Sequence, residues 1–174
     1  MSSRIKDFTK ESVSTYFVMV KNKATSMQPL TDIKVSGSGS RKIYQLLKKF
    51  VNEVHGIDVV TAEELHVKSA LGHYELDDQL IELKRSQPPS GKLVTLAHEI
   101  GHVLTFNAKC KDSTNEILAE SFACIILSAL GMEVKDYSYF NQFKNCDLIL
   151  LKYESRVKDA VLDFLSWVKE NHVN

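Results

Sequence analysis

The chain has 174 residues, enough for one domain with a core of its own, and 44% hydrophobic with 25% charged residues excludes wholesale disorder. Its 22 basic and 22 acidic residues cancel, so no general attraction to nucleic acid or to an anionic membrane is indicated. Cys110, Cys124 and Cys146 are odd in number and lack a CxxC pair, which argues against a disulfide scaffold and for a reducing compartment.

In chain order, Ile5, Phe8, Val13, Tyr16, Phe17 and Val20 recur at helical spacing and predict a helix over about residues 5–24. The same segment lacks the apolar run of a secretory signal, and no stretch reaches membrane-spanning length, so the cytoplasm is the expected location. Ser36 to Ser40 is Gly/Ser-rich and reads as a turn. Ile43, Leu46, Leu47, Phe50 and Val54 then mark a second helix, with Ser40 as its cap and Gly56 as its stop. "IDVV" is a short β-prone run, and residues 66–86 read as two strands around a turn at Asp77-Asp78. "SQPPSGK" reads as a loop, because Pro88-Pro89 argues against helix and central strand. Ser90 caps a helix running to about Asn107. A polar loop leads to "NEILAESFACIILSALG", a helix stopped by Gly131, and a last helix runs over about 147–169. Helices, a small sheet, then helices make an α+β domain spanning 1–174. Its parts are N-terminal helices (1–56), a sheet with two site-bearing helices (57–131) and a C-terminal helical segment (132–174).

The chemistry lies in "TLAHEIGHVLTF". His98-Glu99-Ile100-Gly101-His102 is H-E-x-x-H on an expected helix. Side chains four apart stack on one face, so both imidazoles can reach one metal ion. Glu99 is turned by about 100° from His98, so it stands beside the metal without ligating it and can take a proton from a metal-bound water. A catalytic zinc site needs a third protein ligand and an open fourth position. A downstream histidine is excluded, because Thr105 and Ala108 occupy the places a metzincin would fill with glycine and histidine. The remaining source is the next helix, where Glu116 and Glu120 share a face. Glu116 is read as the third ligand, and Glu120 as the acceptor that orients one imidazole. Gly101 and Ala119 are small enough to let the two helices approach closely.

"HEIGH" followed by "NEILAESFA" resembles the gluzincin zinc peptidases, most nearly the small ImmA/IrrE-type members, over roughly residues 65–131. Glu116, Ala119, Phe122 and Ala123 fall on that family's second-helix pattern. Glu120 stands where the family usually has asparagine, the family's Met-Pro after that helix is absent, and no helix-turn-helix is evident. The resemblance implies a compact zincin-like (minigluzincin) fold, a bound Zn²⁺, and endopeptidase action on a protein substrate. A phage- or mobile-element setting and a repressor or other regulatory substrate are part of that implication.

An oxyanion donor is expected near the metal, and Tyr137, Tyr139, His73 and Tyr74 are the candidates. "QLIELKRS" is either a strand that pairs with an extended substrate or an ordinary internal strand. Cys110 is read as a free thiol and Cys124 as core; Arg41, Lys42, Lys48 and Lys49 read as a solvated helix face. The expectation is therefore a cytoplasmic zinc metallopeptidase with Glu99 as catalytic base. The alternative is a zincin-fold binding module, such as a counter-defence factor that occupies a host protein or nucleic acid without cutting.

Overall fold

The computed structural model describes residues 11, 13–15, 17–18, 35–36, 40–65, 70–134 and 138–172. Of the helix expected over 5–24, residues 11, 13–15 and 17–18 are helical, with Val13 and Phe17 buried, and the rest lies outside the described residues. His66 and Tyr137 also lie outside them.

A two-residue strand β1 (Val35–Ser36) precedes helix α1 (Ser40–His55). Ile43, Leu47, Phe50 and Val51 form the buried stripe of α1, spaced as an amphipathic helix requires. The Phe50 ring meets Phe164 and Trp167 edge-on, at 5.0 and 5.3 Å between centroids. Gly56 ends the helix at φ +68°, a left-handed conformation that glycine adopts without penalty. Of the basic face, Lys48 Nζ donates to the Val59 carbonyl at 2.8 Å and Lys49 lies 3.6 Å from Glu53.

Strands β2 (Asp58–Ala62), β3 (Gly72–Glu75) and β4 (Leu80–Lys84) form a sheet of order β2-β4-β3. β2 runs parallel to β4 with Val59 opposite Ile81; β3 runs antiparallel to β4 with Gly72 opposite Leu83 and Tyr74 opposite Ile81. Val59, Ile81 and Leu83 are buried, so this register points one face of the sheet into the core. The "QLIELKRS" strand is therefore internal: β4 has a neighbour on each side and no edge left for a substrate.

Helix α2 (Pro89–Thr105) crosses the buried face of the sheet and touches α1, β3 and β4. Here the sequence expectation needs correction. Pro89 does not lie in a loop; it is the first helical residue, Pro88 is the cap, and no side chain caps this end, Ser90 included. The amide that proline lacks is not needed in a helix's first turn, and its fixed φ suits that position. Helix α3 (Asp112–Ala129) starts three residues before the expected Asn115, with Asp112 placed favourably at its positive end. It is buried on nearly every side, which its apolar run from Ile117 to Ala129 permits. Gly131, at φ +83°, closes α3 in a Schellman motif: the Met132 amide returns to Leu127 and the Gly131 amide to Ser128, at 2.9 and 3.0 Å.

β5 (Glu133–Val134) pairs antiparallel with β1, a contact the sequence reading did not anticipate. A 3₁₀ turn (Ser138–Gln142) follows, and then two helices replace the single one expected over 147–169. They are α4 (Cys146–Lys152) and α5 (Glu154–His172), broken at Tyr153. The fold is α+β, with α2 sandwiched between the sheet and α3.

The α2–α3 contact is close because Gly101 has no side chain. A Cβ there would lie 2.5 Å from the Ala119 carbonyl oxygen and 2.7 Å from its Cα, both backbone atoms that cannot swing aside. Gly101→Ala is expected to force the helices apart and destabilise the fold by about 1–3 kcal/mol, read as a lower urea midpoint.

Candidate metal centre

Two helices supply the site. On α2, His98 and His102 lie one turn apart on the face turned to α3; on α3, Glu116 and Glu120 lie one turn apart on the face turned back. His98 Nε2 and His102 Nε2 are 3.0 Å apart. Glu116 closes the triangle: Oε2 is 3.3 Å from His98 Nε2, and Oε1 is 3.2 Å from His102 Nε2. The three side chains each offer one ligand atom within 4.8 Å of the others, so the group can hold a metal ion. They remain 16%, 18% and 34% exposed respectively, which leaves one side of the cluster open.

Behind the triangle, His98 Nδ1 donates to Glu120 Oε2 at 2.8 Å. That bond holds the Nδ1 proton in place, so a cation that displaces the Nε2 proton meets the lone pair it needs. Glu120 is almost wholly buried, and its other oxygen accepts from the Cys124 thiol at 3.8 Å. Tyr139, from the 3₁₀ turn, donates to Glu116 Oε2 at 2.6 Å, and its ring stands edge-on to His98.

Charge is concentrated here. Burial disfavours a charged His98, yet hydrogen bonds to Glu116 and Glu120 and the charges of Glu120 and Glu99 outweigh it and push the imidazole up to about 10. Burial likewise opposes ionisation of Glu116, but hydrogen bonds from His102, His98 and Tyr139 hold it well below the usual carboxylate range. Burial and the hydrogen bond to Glu116 raise the Tyr139 phenol, so it stays a donor. Glu99 is raised chiefly by burial, with the two imidazoles pulling the other way. Among the described residues no hydrogen bond engages Glu99, so a buried carboxylate stands uncommitted next to the cluster.

The remaining sequence candidates fall as follows. His73 lies on β3, where Nε2 is 3.3 Å from Glu75 Oε2; Tyr74, one residue on, packs against the core. Cys110 is outside the cluster and donates to the Tyr153 hydroxyl at 3.3 Å; Cys124 is buried and Cys146 is a free thiol. The grip of Tyr139 on Glu116 was not legible in the sequence, since nothing local signals a contact across 23 residues. The nearness of Gly72 to Glu99 was also missed, though a glycine inside a strand is a recognised sign of close approach. Compared with protein-family models, with curated proteins and with solved structures, the chain shows no significant match.

Because Glu120 orients His98, Glu120→Ala is expected to weaken metal binding about 10- to 100-fold, measured by competition with a chromophoric chelator. Glu120→Gln keeps an acceptor oxygen and should lose less.

Proposed function

We propose that the chain is a zinc-dependent endopeptidase of gluzincin type on a zincin-like fold. The observation that carries this reading is the triangle of His98 Nε2, His102 Nε2 and Glu116 carboxylate atoms, with separations of 3.0–3.3 Å, beside an uncommitted Glu99. A tetrahedral zinc with bonds of about 2.0–2.1 Å has ligand–ligand edges of about 3.3–3.4 Å, so this donor set fits the ion with little movement. Two imidazoles and one carboxylate suit zinc, and three protein ligands are the number a catalytic site keeps. When bound, zinc would acidify a water molecule and polarise a carbonyl.

The chain's own groups do the rest. Glu99 accepts the proton of the attacking water and returns it to the leaving amine. Glu120 holds His98, and Tyr139 holds Glu116. The Tyr139 hydroxyl also lies beside the ligands, and by turning its one proton away from Glu116 it can serve as the donor that the developing oxyanion requires. β3 is an edge strand among the described residues and lies on α2 at Gly72, so an extended peptide pairing with it would run alongside the strand that covers Glu99. The substrate class is therefore a protein segment able to become extended. Zinc-loaded protein is expected to cleave unfolded casein or members of a random peptide library, to stop when a chelator is added and to resume with zinc. Zinc-loaded protein that cleaves neither would overturn the reading.

A further inference from the structure

Gly72 is the second residue of this fold whose missing side chain is filled by a neighbour. It sits on β3 opposite Leu83 and so faces α2. Its backbone does not demand glycine, since among the described glycines positive φ occurs only at Gly56 and Gly131. Glycine also weakens a strand, so another reason must hold it there. A Cβ built on Gly72 would collide with Thr95 Cγ2, and would lie 3.0 Å from Glu99 Oε1 and 3.2 Å from Glu99 Cγ. Thr95 and Glu99 are one turn apart on α2, so the strand lies directly on both.

The height of this strand is fixed by a staple. Thr95 Oγ1 donates to Gln87 Oε1 at 2.8 Å, and Gln87 Nε2 donates to the Leu71 carbonyl at 2.6 Å. The residue immediately before Gly72 is thereby tied to the helix that carries Glu99. Resting on the proposed peptidase reading, we infer that Gly72, held down by the Gln87–Thr95 staple, is the positioning residue for Glu99. Its bare backbone forms the roof that confines the carboxylate beside the metal cluster, and any side chain there moves the carboxylate without touching a ligand.

The test uses full-length, zinc-loaded protein and two substitutions. Gly72→Ala alone meets both Thr95 and Glu99. Gly72→Ala with Thr95→Ser removes the methyl that makes the worst collision and keeps the hydroxyl for Gln87. Two properties are read: affinity for acetohydroxamic acid, which chelates zinc and gives its proton to the neighbouring carboxylate, and kcat and KM for a cleaved peptide. Both variants should bind zinc as tightly as the wild type. In both, hydroxamate affinity and kcat should fall severalfold with KM little changed, since a Cβ 3.0 Å from Glu99 Oε1 makes the carboxylate give by a few tenths of an ångström. Thr95→Ser should restore melting temperature but not these two properties. Gln87→Ala, which frees the strand, should lower kcat in the same sense without any collision.

The inference is overturned if Gly72→Ala keeps wild-type hydroxamate affinity and kcat, or if Thr95→Ser restores them fully. It is also overturned if the loss tracks zinc content. A wild type that binds zinc and hydroxamate but cleaves nothing refutes the peptidase reading alone, because the hydroxamate comparison still reports whether Gly72 places Glu99.

Discussion

Glu99→Gln is expected to reduce peptide hydrolysis by about a thousandfold, within the range that a positioned acid–base group supplies, while zinc stays bound. The amide is nearly isosteric with the carboxylate, so the packing under β3 survives. It cannot accept the proton of the attacking water, so the step that needs a base fails. Glu99 is buried, and no hydrogen bond among the described residues engages it, so the substitution breaks none of the bonds among them. The buried position lowers the cost further, because burial already disfavours the charge that glutamine removes. The measurement is kcat/KM with zinc content determined on the same sample. It also separates the two functional classes. A binding module leaves its partner uncut in wild type and Glu99→Gln alike, and a wild type that binds a partner without cutting it would end the hydrolase proposal.

The second large effect is on the metal. Glu116→Ala removes the only carboxylate of the three-donor cluster and is expected to lower zinc affinity by several orders of magnitude, since two imidazoles alone leave the ion half-coordinated. It also releases Tyr139, whose hydroxyl is held by Glu116 in the structure. The same cluster makes zinc binding depend on pH. His98, held up near 10 between carboxylates, carries a proton at neutral pH that the metal must displace. Glu116, held low, carries none to lose. Affinity should therefore rise with pH by about tenfold per unit between roughly pH 6 and 9, with about one proton released per zinc. Calorimetry in buffers of different ionisation enthalpy counts that proton. A pH-independent affinity would show that His98 is neutral before the metal arrives.

The two halves of the site were legible to different degrees. Residues four apart on a helix share a face regardless of the rest of the fold, so His98 with His102, and Glu116 with Glu120, could be paired from spacing alone. That Gly101 and Ala119 face each other followed from their size, and the structure places their backbones in contact. The limits of the reading were set by contacts that no local pattern encodes. β2 pairs in parallel with β4 across an intervening strand, and β1 meets β5 across most of the chain. Tyr139 reaches Glu116 from a 3₁₀ turn of mixed composition. Pro89 was misread for a different reason: proline breaks a helix interior but suits its first turn, and the two cases look alike in sequence. The break at Tyr153 carries neither glycine nor proline, so the run from Asp147 onward read as one helix.

The most direct measurement is elemental analysis of protein purified without chelator, wild type beside His98→Ala. About one zinc per chain in the wild type and almost none in the variant, with the helical circular dichroism of both unchanged, is the result the account predicts. A wild type that takes up no zinc even when supplied with it, or a His98→Ala variant that holds the ion as well as its parent, would contradict it.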